Sequence, residues 1–213
     1  MIRGGVAARW ASLVVGLWLF ALGIVLLLES ELGLSPWDVL NQGVSDRTAL
    51  SFGTANIVVA FVVLVLAWAL GARIGPGTVA NALLIGLFVD LLLSLAWVDA
   101  LGGGLAARAC LLVGGIAAIG LGSGLYIGAD LGAGPRDSLM LVLARRTGVR
   151  IGIVRGALEA AVTVLGFALG GTVGVGTLLF VVGIGPAVEL AFVALLRVGL
   201  AAPHPAVSRI VSA

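Results

Sequence analysis

Displaced by 99 residues, the sequence meets itself without a gap. Leu32-Gly33-Leu34-Ser35-Pro36-Trp37-Asp38-Val39-Leu40 falls on Leu131-Gly132-Ala133-Gly134-Pro135-Arg136-Asp137-Ser138-Leu139. Arg47-Thr48 meets Arg146-Thr147, and Gly53 meets Gly152. Further on, Gly71, Gly75, Gly77, Thr78, Gly86 and Asp90 meet Gly170, Gly174, Gly176, Thr177, Gly185 and Glu189. Positions 22–91 give 24 identities in 70 pairs. Unrelated apolar helices share Leu, Val and Ala by chance, but not Pro, Gly, Thr and acidic residues at one fixed offset. The chain is therefore a duplication.

Each copy holds three long apolar stretches: about 10–28, 53–70 and 78–97, then 109–128, 151–169 and 177–197. Each is near the roughly 20 residues that cross a bilayer core as a helix. Hydrophobic residues make up 61% of the chain and charged ones 10%, too few charges to cover a water-soluble globule. The expected fold is all-α: a polytopic membrane protein of six transmembrane helices, arranged as two inverted three-helix repeats. It forms one membrane domain over 1–213, with repeats at about 10–98 and 109–197 and a cytoplasmic tail at 198–213. Three spans is an odd number, so the second copy must enter the bilayer from the opposite side. Secondary transporters commonly use this plan, with the substrate near the midplane between the repeats. The first span resembles a signal peptide because Arg3 and Arg9 precede it. It aligns with the fourth span, however, and is expected to stay in the fold.

Arginine bias orients the spans. With the N-terminus cytoplasmic, Arg3, Arg9, Arg73, Arg136, Arg145, Arg146, Arg150, Arg197 and Arg209 fall inside, and Arg155 lies just within the fifth span. Only Arg47 and Arg108 fall outside. Both termini are expected in the cytoplasm, with Trp10, Trp68 and Trp97 near span ends as interfacial anchors. The net charge of +2 is spread over loop ends, which gives no nucleic-acid footprint. The single cysteine, Cys110, lies in an apolar run, and the single histidine, His204, lies in the tail without partners. No metal-ligand spacing, partnered nucleophile, phosphate loop or dinucleotide fingerprint is present. No enzyme activity, metal or cofactor is expected.

Three constellations remain. Ser35, Pro36 and Asp38 carry the signature of a helix start, and Gly134, Pro135 and Asp137 repeat it. Short helices are expected at about 36–44 and 135–146, after spans one and four. Each lies flat in the interface or dips inward as a re-entrant half-helix, in which case the two starts face one another. The second constellation is Gly75-Pro76-Gly77-Thr78 and Gly174-Val175-Gly176-Thr177, leading into spans three and six. Close helix packing is its favoured role over anion binding at Gly77, Thr78, Gly176 and Thr177.

The third is Asp90 and Glu189, each about 12 residues into its span with a glycine four residues before it. An acid at the bilayer centre costs about 2.5–3.5 kcal/mol on insertion scales. Arg155 and Glu159 add a pair at i, i+4. Asp90, Glu159 and Glu189 against Arg155 leave two acids in excess. They suit proton handling or capture of a cationic group; the alternative is hydrogen bonding between helices. Asn56 and Asn81 are polar neighbours in the same spans.

Leu32-Gly33 to Pro36-Trp37-Asp38-Val39-Leu40, then Gly75, Gly77-Thr78, Asn81, Gly86 and Asp90, resembles the YczE/YitT-type bacterial integral membrane proteins. The resemblance covers most of the chain and implies a bacterial plasma-membrane protein, while naming no substrate. The second half departs from the pattern, with Arg136 in place of Trp and Phe180 in place of Asn. The leading functional expectation is a small-solute transporter, proton-coupled through the three acids. The alternatives are a non-transporting scaffold or assembly protein, and a substrate-capture subunit of a larger importer. The partners expected are the lipid bilayer and a small-molecule substrate. The 33 glycines also suit close contact with a second copy or a partner membrane subunit.

Overall fold

In the computed structural model, residues 2, 4–95 and 104–200 are described. They form eight helices: α1 (Val6–Ser30), α2 (Pro36–Arg47), α3 (Phe52–Ala69), α4 (Pro76–Ser94), α5 (Leu105–Gly128), α6 (Pro135–Thr147), α7 (Ile151–Ala168) and α8 (Val175–Arg197). Arg3, Trp97, His204 and Arg209 lie outside the described residues, as does the expected tail beyond residue 200. Six helices, all but α2 and α6, are long and apolar enough to cross a membrane. Their 18–25 residues reach about 27–37 Å at 1.5 Å per residue, against a core of about 30 Å. The chain is an all-helical membrane protein.

Local chemistry sets the boundaries. Ser35 and Ser51 accept hydrogen bonds from the backbone N–H groups of Asp38 and Thr54, capping α2 and α3. Pro36, Pro76 and Pro135 occupy first helical positions, where a missing N–H costs nothing. Gly148, left-handed at φ 70°, ends α6. The long helices begin earlier than hydropathy suggests, α1 at Val6 and α5 at Leu105. Arg9 and Arg108 therefore lie inside helices, and each has an acid to meet. Arg9 pairs with Asp130 at 3.4 Å and Arg108 with Glu31 at 2.5 Å.

Those two ion pairs map onto each other through the 99-residue offset, and other contacts between the halves do the same. A Cβ on Gly16 would lie 2.8 Å from the Gly122 carbonyl oxygen, and one on Gly115 would lie 2.9 Å from that of Gly23. These glycines let α1 and α5 cross at backbone contact. The Gly77 N–H donates to the Leu131 carbonyl at 2.9 Å, and the Gly176 N–H to that of Leu32 at 2.7 Å. Glu31 and Asp130 both sit at φ 52°, with Gly33 at φ 120° and Gly132 at φ 130° shortly after. Side chains at Gly33 and Gly132 would be strained by that backbone and would also strike Thr177 and Thr78. Thr78 and Thr177 accept from the Gly75 and Gly174 N–H groups, each at 3.2 Å. The glycine-threonine turns thus act as packing and capping elements.

The main core joins α1, α4, α5 and α8 through residues such as Leu17, Ile24, Val89, Ile119 and Ile184. A second cluster holds α2, α3 and α6 together through Trp37, Val63, Ala67, Leu139 and Val142. One packing relation is not duplicated. α3 lies against α4, whereas α7 has no comparable contact with α8. Only 11% of the apolar window of α7 is buried, against 50% for α3. The second half is splayed where the first is closed.

Candidate functional site

A cavity of about 570 Å³ lies between the halves, within the size range of small-molecule sites. Both short-helix starts reach it: Ser35, Pro36 and Trp37 from α2, and Gly134, Pro135, Arg136 and Asp137 from α6. The starts face one another, which the sequence left open. The Arg136 guanidinium stacks over the Trp37 ring, 5.2 Å from its centroid, and approaches Asp38 at 3.8 Å. Trp37 and Arg136 occupy equivalent places in the repeat.

Asp38 is buried, 1% exposed. Ser35 donates to it through a short hydrogen bond and Asn41 through one of 3.1 Å. The Tyr126 hydroxyl donates to Asp137 at 2.7 Å. Removing Arg136 leaves Asp38 buried without its counter-charge. Breaking a buried ion pair costs about 3–5 kcal/mol; the lower end is expected here, because Ser35 and Asn41 still donate. Arg136→Ala should therefore lower the melting temperature in detergent clearly. Arg136→Lys should recover only part of the loss, since an ammonium lacks the planar stack on Trp37.

Glu189, Glu159 and Arg155 also line the cavity. The Arg155 Nε donates to Glu159 at 2.8 Å. Among the described residues Glu189 makes no hydrogen bond or ion pair. Asp90 is elsewhere. It clasps the start of α3, accepting from the Ser51 hydroxyl at 2.5 Å, the Gly53 N–H at 2.8 Å and the Thr54 hydroxyl at 3.4 Å. An acid at a helix start meets free N–H groups and the positive end of the dipole.

Beside this clasp the two helices touch through glycine. A Cβ on Gly53 would lie 2.1 Å from the Gly86 carbonyl oxygen, and one on Gly86 would lie 2.3 Å from that of Gly53. The repeat partners behave differently. A Cβ on Gly152 or Gly185 would meet nothing within 4 Å. α8 also carries Pro186 within the helix, on the cavity wall, where α4 has Leu87. An internal proline removes a backbone hydrogen bond and bends a helix.

Asn56, 3% exposed and on the cavity wall, keeps its Nδ2 without a partner. Tyr126, Ser123 and Trp37 line the wall as well, and none was singled out from the sequence as a site residue. A signal existed for Tyr126, the only tyrosine in the chain. A tyrosine in an apolar helix needs a hydroxyl partner, and Asp137 follows on the next helix.

Three comparisons bear on this arrangement. An uncharacterised protein of Haemophilus influenzae is 37% identical over 180 residues, covering 82% of this chain and 81% of that protein. The uncharacterised membrane protein YczE of Bacillus subtilis is 33% identical over 175 residues, covering 80% and 79%. The uncharacterised protein YyaS of the same organism is 29% identical over 169 residues, covering 78% and 84%. No solved structure matches the chain. The DUF6198 description, a family of unknown function, matches residues 7–192, which take in all of the cavity wall. With that match and the YczE likeness expected from its motifs, the chain belongs to the DUF6198 family.

Proposed function

We propose that the protein is an alternating-access transporter of a small solute in the bacterial plasma membrane, built from two inverted repeats whose gates open in turn. The observation that carries this reading is the unequal use of equivalent glycines. Gly53 and Gly86 close one gate, and Gly152 and Gly185 stand apart with open space around them. A glycine in a helix interior costs about 0.5–1 kcal/mol relative to alanine. Gly185, inside α8, returns nothing for that cost in this conformation, and Gly152, in the first turn of α7, likewise meets no neighbour. They are accounted for by a second conformation in which α7 closes on α8 as α3 now closes on α4. The paired contacts at Arg9–Asp130 and Arg108–Glu31 support the two-fold relation that such an exchange requires.

On the orientation set by arginine, the Asp90 clasp faces outside and the cavity opens toward the cytoplasm. α2 and α6 are then re-entrant half-helices meeting near mid-depth, with their irregular backbone lining a cavity. Each gate acid alternates between two situations. Clasped, its carboxylate caps the neighbouring helix; released, it faces the cavity, where a proton or a cationic group can reach it. Protonation removes an acceptor from the clasp and so favours release, which links gating to pH.

A reversible lock tests the reading. On a Cys110→Ala background, Ser51→Cys and Asp90→Cys replace side chains now in contact. Proteoliposomes loaded with a bacterial metabolite extract are followed by mass spectrometry for solutes that exchange with the outside. Oxidation should slow exchange of the transported solute at least about tenfold relative to the same reduced double-cysteine protein, and reductant should return it to that reduced level. Exchange that ignores the disulfide, or no protein-dependent exchange, overturns the proposal.

A further inference from the structure

The charges around the cavity do not balance. Arg136 and Arg155 stand against Asp137, Glu159 and Glu189 on the wall, with Asp38 directly behind Arg136. Two guanidinium groups thus meet four carboxyl groups. Arg155 is tied to Glu159, and Arg136 is shared between Asp38 and the Trp37 ring. Each arginine therefore already faces a carboxyl group, Arg155 through its Nε and Arg136 across 3.8 Å, and the acids still outnumber them. The α2 and α6 starts carry their own acids, Asp38 and Asp137, so these helix ends do not call for an anionic ligand either.

What the wall leaves unpaired points the other way. Glu189 has no cationic partner among the described residues. Beside Trp37, whose ring Arg136 already covers, the rings of Phe20, Tyr126, Phe180 and Phe192 line the space. Ring faces attract cations, more strongly where water is excluded. The Asn56 Nδ2, buried and unpartnered, lacks an acceptor. A buried donor without a partner costs about 1–3 kcal/mol, a cost that a ligand oxygen would remove.

We infer that the cavity binds a small organic cation, a protonated or quaternary amine on an apolar body, with an oxygen acceptor that takes the Asn56 amide. Glu189 is the counter-ion and the rings provide the surrounding surface. This inference rests on the reading of the cavity as the transported solute's site.

The test is equilibrium binding to purified protein in nanodiscs, which reports ligand class whether or not the gates alternate. Failure here is therefore distinct from failure of the disulfide lock. The probe is benzyldimethyl(2-hydroxyethyl)ammonium. It is compared with its neutral carbon isostere 3,3-dimethyl-4-phenylbutan-1-ol, with the carboxylate 3,3-dimethyl-4-phenylbutanoate, and with the hydroxyl-free benzyldimethylethylammonium. The hydroxylated cation should bind at least about tenfold more tightly than the neutral alcohol or the carboxylate. Glu189→Gln should remove most of that preference. Loss of the hydroxyl should weaken binding about fivefold in the wild type, and that difference should vanish in Asn56→Leu. Preference for the carboxylate, equal binding of the alcohol, or no saturable binding of any of the compounds at millimolar concentration overturns the inference.

Discussion

Alanine at Gly152 or Gly185 is expected to leave folding intact and to reduce transport by about tenfold or more. In the present conformation a methyl group at either position meets nothing. The melting temperature should hold for Gly152→Ala, in the first turn of α7, and rise slightly for Gly185→Ala, because alanine in a helix interior is favoured by about 0.5–1 kcal/mol. In the conformation with the inner gate closed, the same methyl group would sit as one on Gly53 or Gly86 sits now, within 2.1–2.3 Å of a backbone carbonyl oxygen. Overpacking of this kind costs about 1–3 kcal/mol, and 1.4 kcal/mol is a factor of ten in population. In the proposed cycle the penalty falls only on the half not seen here. Gly53→Ala and Gly86→Ala should do the reverse, destabilising the conformation seen here. Thermal unfolding measured beside exchange flux separates the two pairs. For a static scaffold, Gly152→Ala and Gly185→Ala would be silent in every assay.

The second large effect is expected at Asp90. Three hydrogen bonds join its carboxylate to the start of α3. Hydrogen bonds to a charged group contribute about 1.5–3 kcal/mol. Asp90→Ala removes them only while the outer gate is closed, so it should shift the gates toward outward opening by about tenfold to a hundredfold. A cysteine introduced by Asn56→Cys, in Cys110→Ala protein, reports the shift through its reaction with an impermeant maleimide added outside. Asp90→Asn should shift it less, since an amide oxygen still accepts from the Gly53 N–H. Equal reactivity with and without Asp90→Ala would mean that the clasp does not hold the gate.

Much of the architecture was legible because bilayer constraints act on composition. A run of about 20 apolar residues has few folds open to it, and Ser35-Pro36 and Gly134-Pro135 mark helix starts by chemistry independent of context. Hydropathy places the span starts about four residues late at α1 and α5 for a reason of the same kind. Arg9 and Arg108 close a hydropathy window, yet the helix continues past them because Asp130 and Glu31 neutralise them. The offset paired Asp90 with Glu189 but could not show that one is clasped while the other is free. A repeat encodes what the halves share, and the clasp is a difference between them. Pro186 opposite Leu87 is one visible break in that sharing, beside Arg136 opposite Trp37 and Phe180 opposite Asn81. Tyr126 stayed hidden for another reason, because a ring on an apolar helix reads as packing until a cavity is seen beside it.

The proposed alternation of gates can be examined directly by closing the inner one. Arg150→Cys and Glu189→Cys occupy the places equivalent to Ser51 and Asp90, and α7 and α8 now stand apart at this point. With the Asn56→Cys reporter on the Cys110→Ala background, impermeant maleimide should reach the reporter only from the cytoplasmic side before oxidation. After the inner disulfide forms, the label should reach it only from outside. A reporter that stays open to the cytoplasm after cross-linking, or never becomes reachable from outside, would contradict the account.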